Sequence, residues 1–229
     1  MSRPSLGTVT IGQAPRPDVT PILDAYVPAS VPRVHLGVLD GLNDDDIAAK
    51  FAPRPRERRL ITRLADGRSV ELDAEAIELG VQGRVKDLEQ AGCTVIVVLC
   101  TGVFRSLRTT RAWLLEPDRL LPPLVSKVVG ARRLGVVVPL DSQVQTERRK
   151  WDGLQVPPVV AVANPYAPDE DTVAAAAVEL KRGGASALLL DCIGFTARHQ
   201  RAAAKAADLP VLLSNVLVAR VAGGCFAEE

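Results

Sequence analysis

The sequence predicts an α/β protein of two pseudo-symmetric lobes, each with a mainly parallel sheet flanked by helices. Three observations carry that expectation. Short runs of consecutive aliphatic residues alternate with stretches of helical character, one helix-strand unit occurs twice at identical spacing, and a single segment around Asp66-Gly67 breaks the pattern. Apolar residues at consecutive positions are expected of strands covered on both faces, as in parallel sheets. Their alternation with helices selects the α/β class.

The strand candidates are "LGTVTI" (6–11), "VHLGVL" (34–39), "TVIVVL" (94–99), "LGVVVP" (134–139), "PVVAVA" (158–163), "SALLLD" (186–191) and "PVLLS" (210–214). Helices are expected over about 74–91, 104–113, 119–130, 142–152, 169–183, 196–207 and 215–224. In "RLITRLADGRSVELD" (59–73) two alternating runs flank Asp66-Gly67, which tolerates the positive φ of a tight turn, so a β-hairpin insertion is predicted. The basic, proline-rich "FAPRPRERR" (51–59) before it reads as a solvated loop, and "ERRK" (147–150) as the wet face of a helix.

The repeat is the most informative feature. "VKDLEQAGCTVIVVLCTG" (85–102) aligns without gaps on "AVELKRGGASALLLDCIG" (177–194), matching Leu88 with Leu180, Gly92 with Gly184, Cys100 with Cys192 and Gly102 with Gly194. Each copy reads as helix, glycine at the C-cap, strand, then Cys-x-Gly at the strand's carboxyl end. The lobes are expected to comprise residues 1–117 plus 214–229, and residues 118–213.

Composition narrows the function classes. A net charge of +1 and 3% aromatic residues offer neither a field nor a stacking platform for nucleic acid, and no charge to hold an anionic membrane. No apolar run approaches the roughly 20 residues that span a bilayer, and "MSRPSLGTVTIGQ" lacks a signal peptide's apolar core, so a cytoplasmic protein is expected. Cys93, Cys100, Cys192 and Cys225 form no CxxC pair, and His35 and His199 are far apart, so neither a metal site nor a disulfide framework is expected. Cys93 and Cys225 read as structural, and His199 as an exposed helical residue.

Ligands of open α/β sheets bind beyond the carboxyl ends of the strands, where helix N-termini and unpaired N–H groups favour anions. Cys100 and Cys192 both belong at that edge. Lobes related by a pseudo-twofold axis would bring the two thiols to opposite sides of one ligand. Two equivalent groups on opposite faces of one carbon suit racemisation or epimerisation, in which one removes the α-proton and the other returns one. Backbone N–H groups of Thr101-Gly102 and Ile193-Gly194 are the expected donors to the developing enediolate, with glycine allowing close approach. Asp191, beside Cys192, is expected either to pair with a cation or to orient the site.

The pairing of "VVLCTG" with "LLDCIGF" on such a chain resembles the aspartate/glutamate/hydantoin racemase superfamily, which includes maleate isomerase and arylmalonate decarboxylase. "TIGQAPRPD" (10–18), "LEPDRLLPPLVSKVV" (115–129) and "LDCIGFTARHQ … LPVLLSNVLVARVAG" resemble the AroM family across nearly the whole chain. The resemblance implies an Asp/Glu racemase-like fold with Cys100 and Cys192 on the two catalytic cysteine positions. "GQAPRPD" takes the place of the superfamily's first substrate loop without its usual glycine-rich sequence; there Gln13 and Arg16 would offer an amide and a fixed charge to a carboxylate. After the last strand, Ser214 is expected to cap a helix and Asn215 to touch the ligand.

The expectation is therefore a racemase or isomerase, needing no cofactor and no metal, that acts on a small carboxylic acid by two-cysteine acid/base chemistry in an interlobe cleft. A cysteine-nucleophile cis-trans isomerase, a decarboxylase of similar acids and a non-catalytic small-molecule-binding protein are the alternatives. The expected partner is a small-molecule carboxylate, with no nucleic acid and no membrane, and a homodimer is left open.

Overall fold

A computed structural model describes residues 4–54 and 58–226, without the side chain of Glu147. Residues 55–57 of the basic loop lie outside the described residues. The chain divides into two compact units, Met1–Pro117 with Val218–Glu229, and Asp118–Leu217.

The first unit carries β1 (Leu6–Thr10), α1 (Thr20–Asp24), β2 (Arg33–Gly37), α2 (Asp44–Phe51), β3 (Arg59–Arg63), β4 (Ser69–Asp73), α3 (Ala74–Gln90), β5 (Val95–Leu99) and β6 (Trp113–Leu115). Its parallel sheet has the order β2-β1-β5-β6, with Thr10 at the end of β1 in register with Leu99 at the end of β5. The fully buried Val9, Leu88, Ile96 and Val98 belong to one apolar core. Burying such a side chain contributes roughly 1.5–3 kcal/mol.

The second unit carries α4 (Pro117–Val129), β7 (Leu134–Val138), a 3-10 turn at Asp141–Gln143, α5 (Val144–Lys150), β8 (Val159–Val162), α6 (Asp171–Arg182), β9 (Ala187–Leu190), α7 (Ala197–Ala207), β10 (Val211–Leu213) and the start of α8 (Ser214–Gly223). Its parallel sheet, β10-β9-β7-β8, has the winding of the first when read from β8. The buried Val137, Leu180, Leu188 and Leu190 anchor a second core.

The internal duplication runs deeper than the aligned segment. Both helix ends close in the same way: the Cys93 N–H donates to Leu88 O and the Ala185 N–H to Leu180 O, each at 3.0 Å. Gly92 and Gly184 supply left-handed φ values of +87° and +86° at these ends, a conformation costly for a residue with a Cβ. "LGTVT" of β1 and "LGVVV" of β7 are equivalent as well, because Gly7 pairs with Ile96 and Gly135 with Leu188. A Cβ at Gly7 would lie 3.1 Å from Leu88 Cδ2, and one at Gly135 3.0 Å from Leu180 Cβ. Both strands use glycine to let the end of the helix that precedes the neighbouring strand, α3 before β5 and α6 before β9, pack close.

The hairpin forms from β3 and β4, antiparallel as expected. Its connection spans three residues, closed by Gly67 N–H to Leu64 O at 3.0 Å and Leu64 N–H to Arg68 O at 2.8 Å. The positive φ falls on Gly67, at +91°, as in three-residue loops that end on a left-handed glycine.

The helix expected over 104–113 does not form. That segment is irregular up to β6, an edge strand that the sequence reading missed. Carboxylates of α3 take over its backbone donors. Glu78 Oε1 accepts from the N–H groups of Arg105 (2.8 Å) and Ser106 (2.7 Å). Glu89 Oε1 accepts from those of Thr110 (2.9 Å), Arg111 (2.7 Å) and Ala112 (3.0 Å). Two short helices also went unpredicted: α1, with proline in its first turn, and α2. In α2, Asn43 accepts from the Asp46 N–H and three acids occupy the first turn, where the helix dipole favours them.

Among the described residues no helix is long and apolar enough to cross a membrane. None of their His, Cys, Asp and Glu side chains cluster in threes around a point that could hold a metal.

Candidate functional site

In the first unit, Cys100 directly follows β5 and keeps 8% exposure, beside the buried Thr101. The Gly102 N–H donates to Cys100 Sγ at 3.3 Å. A Cβ at Gly102 would stand 2.5 Å from Leu60 Cδ2 and 3.3 Å from that sulfur, so glycine is what lets this turn fold back under the hairpin. Arg58, from the end of the basic loop, donates to Val103 O at 3.1 Å. The segment after Thr101 is irregular up to β6.

The loop after β1 is tied down at several points. Asp40 accepts from the N–H groups of Ala14 and Gly37, both at 2.7 Å. Gln13 Oε1 accepts from the Ala65 N–H at 2.8 Å, while its Nε2 lies 3.5 Å from both Leu39 O and Leu42 O. Gln13 thus braces the hairpin tip against the loop. Arg16 is no surface charge: it is 4% exposed, and its guanidinium grips Asp18 through two bonds of 2.8 and 2.7 Å. Its Nη1 also reaches the hydroxyls of Thr10 (3.3 Å) and Thr62 (3.4 Å). A cavity of about 410 Å³ opens between this loop and the hairpin, lined in part by Gln13, Arg16, Asp18, Arg63 and Asp66. Cys100, Thr101 and Gly102 do not line it.

In the second unit, Cys192 follows β9 and is likewise 8% exposed. The turn it begins is held from α8. Asn215 Nδ2 donates to Ile193 O (2.9 Å) and Phe195 O (2.6 Å), and its buried Oδ1 accepts no hydrogen bond from the described residues. Ser214 Oγ donates to Leu190 O and approaches Asp191 Oδ1, both at 3.0 Å. A Cβ at Gly194 would sit 2.5 Å from the Tyr166 hydroxyl, so the ring of Tyr166 lies directly on the Cys192–Gly194 turn. Tyr166 belongs to "NPY" (164–166) after β8, a stretch that reads from the sequence as a loop turn rather than a ligand contact.

Asp191 pairs with a cation, and the cation is Lys150. Their side chains are 0% and 2% exposed, and Nζ lies 2.6 Å from Oδ2. Lys150 also approaches the Trp151 ring, 5.5 Å from its centroid. "ERRK" is therefore not uniformly a wet face, since its last residue turns inward.

His199 is buried rather than exposed, packing edge-on to Phe195. Its Nδ1 accepts from the Thr196 N–H at 2.9 Å and closes the first turn of α7. Burial lowers its pKa, outweighing the opposing pull of Glu170. Burial raises the thiol pKa of both Cys93 and Cys225, which disfavours reactivity.

The predicted residues thus fall into groups: Cys100, Thr101 and Gly102 at the end of β5; Gln13 and Arg16 at the adjacent β1 end; and Cys192, Ile193, Gly194 and Asn215 at the ends of β9 and β10.

No curated protein matches the sequence. Among solved structures, allantoin racemase from Pseudomonas fluorescens is similar at a TM-score of 0.64 and 15% identity, over 96% of this chain and 89% of that one. Glutamate racemase from Bacillus anthracis is similar at 0.64 and 14%, over 98% and 82%. Unliganded arylmalonate decarboxylase is similar at 0.60 and 13%, over 99% and 95%. At such identities the likeness is one of fold, and it agrees with the parallel sheets described above. The family described as AroM protein matches residues 6–226, nearly the whole chain, and the protein belongs to that family.

Proposed function

We propose that this protein is a racemase or isomerase, needing no cofactor, that acts on a small carboxylic acid in an interlobe cleft, with Cys100 and Cys192 as acid and base. One observation carries the reading: both thiols stand at the carboxyl ends of equivalent strands, each two residues before a glycine whose added Cβ would meet a neighbouring side chain at 2.5 Å. An N–H aimed at sulfur, as from Gly102, stabilises negative charge there. Asn215 Oδ1, buried and with no donor among the described residues, is suited to a ligand N–H or O–H group. Racemases and a decarboxylase among the proteins of this fold agree with the reading.

The experiment is turnover of a panel of small chiral acids in deuterium oxide. Two-base chemistry predicts deuterium at the α-carbon starting from either enantiomer. Incorporation confined to one product hand, or none, counts against it.

A one-thiol reaction, isomerisation or decarboxylation, is favoured by one asymmetry: α7 follows Cys192, whereas an irregular segment follows Cys100. A helix N-terminus offers anion stabilisation on one side only. That reading predicts solvent label on a single face.

A further inference from the structure

We propose that the buried Lys150–Asp191–Ser214 network is a positioning device for Cys192, retained for the site rather than for stability. The proposal rests on Cys192 being a reactive thiol. The ion pair joins the end of α5 to the end of β9, with both side chains sealed from water. Ser214 continues it, donating to Leu190 O and meeting the second carboxylate oxygen at 3.0 Å. The next residue, Asn215, holds the carbonyls of Ile193 and Phe195. Residues 190–195, with Cys192 at their centre, are thereby fastened from one side by two consecutive residues of α8 and from the other by Lys150.

Sealing an ion pair away from water gives little net stability, because the desolvation of both charges offsets their attraction. An apolar pair of similar volume often serves a fold as well, whereas removing one partner alone strands a charge. The bland role, packing three elements together, would not need charge. Charges adjacent to a thiol have a second effect. Asp191 directly precedes Cys192, so a net charge left at the Lys150–Asp191 pair would bias thiol ionisation, a carboxylate disfavouring the thiolate and an ammonium favouring it. Paired, they hold the turn while leaving the thiol little net field.

The test is the rate of iodoacetamide labelling of Cys192, followed by peptide mass spectrometry across pH, together with the melting temperature. The double variant Lys150→Met with Asp191→Asn is expected to melt within a few degrees of wild type and to label at least ten-fold more slowly. The single variants should move the pH midpoint of labelling in opposite directions: upward by about one unit for Lys150→Met, which leaves a carboxylate uncompensated, and downward for Asp191→Asn, which leaves an ammonium. These shifts show that the pair lies within electrostatic reach of the thiol, and the labelling rate of the neutral double variant reports positioning. Should the singles fail to fold, the double decides. Unchanged labelling in a stable double overturns the proposal, as does a melting temperature that falls along with the rate. If wild-type Cys192 itself labels no faster than a free peptide cysteine, the thiol reading fails and the proposal with it.

Discussion

Cys100→Ser and Cys192→Ser are each expected to lower interconversion of the acid's enantiomers by about 10²–10⁴-fold, the usual contribution of a positioned acid or base. The substitution replaces sulfur by oxygen at nearly constant shape, so the two cores to which Cys100 and Cys192 belong should persist around it. What is lost is acidity: an alcohol is not deprotonated at neutral pH, so it can neither accept the α-proton nor return one from the opposite side. The two variants should also differ in hand. Each should retain some proton exchange from the enantiomer whose α-hydrogen faces its intact thiol, measured by proton NMR in deuterium oxide. Equal and near-complete turnover in both variants would remove the thiols from the chemistry. Chiral chromatography provides the rate.

Glu89→Ala is expected to destabilise the protein by about 2 kcal/mol, because the buried N–H of Ala112 would lose its acceptor and the N–H groups of Thr110 and Arg111 would have to turn to water. For a chain of this length that is a fall in melting temperature of roughly 4–8 °C. Glu89→Gln, which keeps an oxygen in place, should cost less. The carboxylate's pKa combines two opposing effects. Burial pushes it up, and the hydrogen bonds from residues 110–112 pull it below the usual 4.5. Glu78 behaves likewise, burial opposed by Ser106 and Arg105. A folded-state pKa below the unfolded one stabilises the protein above about pH 4.5, and the benefit disappears as pH falls through the folded value. Wild-type stability should therefore drop steeply under acid conditions, and Glu89→Gln should flatten that part of a melting-temperature profile.

The same pair of glutamates explains what the sequence concealed. Residues 104–113 carry enough helix formers to suggest a helix, but a helix satisfies its own N–H groups, and here α3 offers acceptors instead. Nothing local to 104–113 records that. The strands were legible because burial on both faces writes consecutive aliphatic residues, and the hairpin because Asp66-Gly67 interrupts an alternating pattern. The duplication was only half read: "LGTVT" and "LGVVV" repeat Leu-Gly at the equivalent strands, a signal present in the sequence and given structural sense by the close approach of Leu88 and Leu180. Applying that repeat in full would have exposed β6 as the counterpart of β10. Charged residues were the hardest to place. Lys150 stands in a run of basic residues whose neighbours Arg148 and Arg149 are exposed, and only its position at the inner end of α5 turns it to Asp191. His199 reads as exposed in the sequence because nothing in "TARHQR" shows that its ring packs on Phe195 and closes the first turn of α7 through the Thr196 N–H.

If the sulfurs of Cys100 and Cys192 act on one substrate, they must stand a few ångströms apart across it. Treating the protein with dibromobimane, whose two bromomethyl groups join only closely spaced thiols, and mapping the products by peptide mass spectrometry tests this most directly. The prediction is one bimane bridge linking the peptides of Cys100 and Cys192, suppressed by a bound acid. Two separately capped cysteines, or a bridge through Cys93 or Cys225 instead, would contradict it.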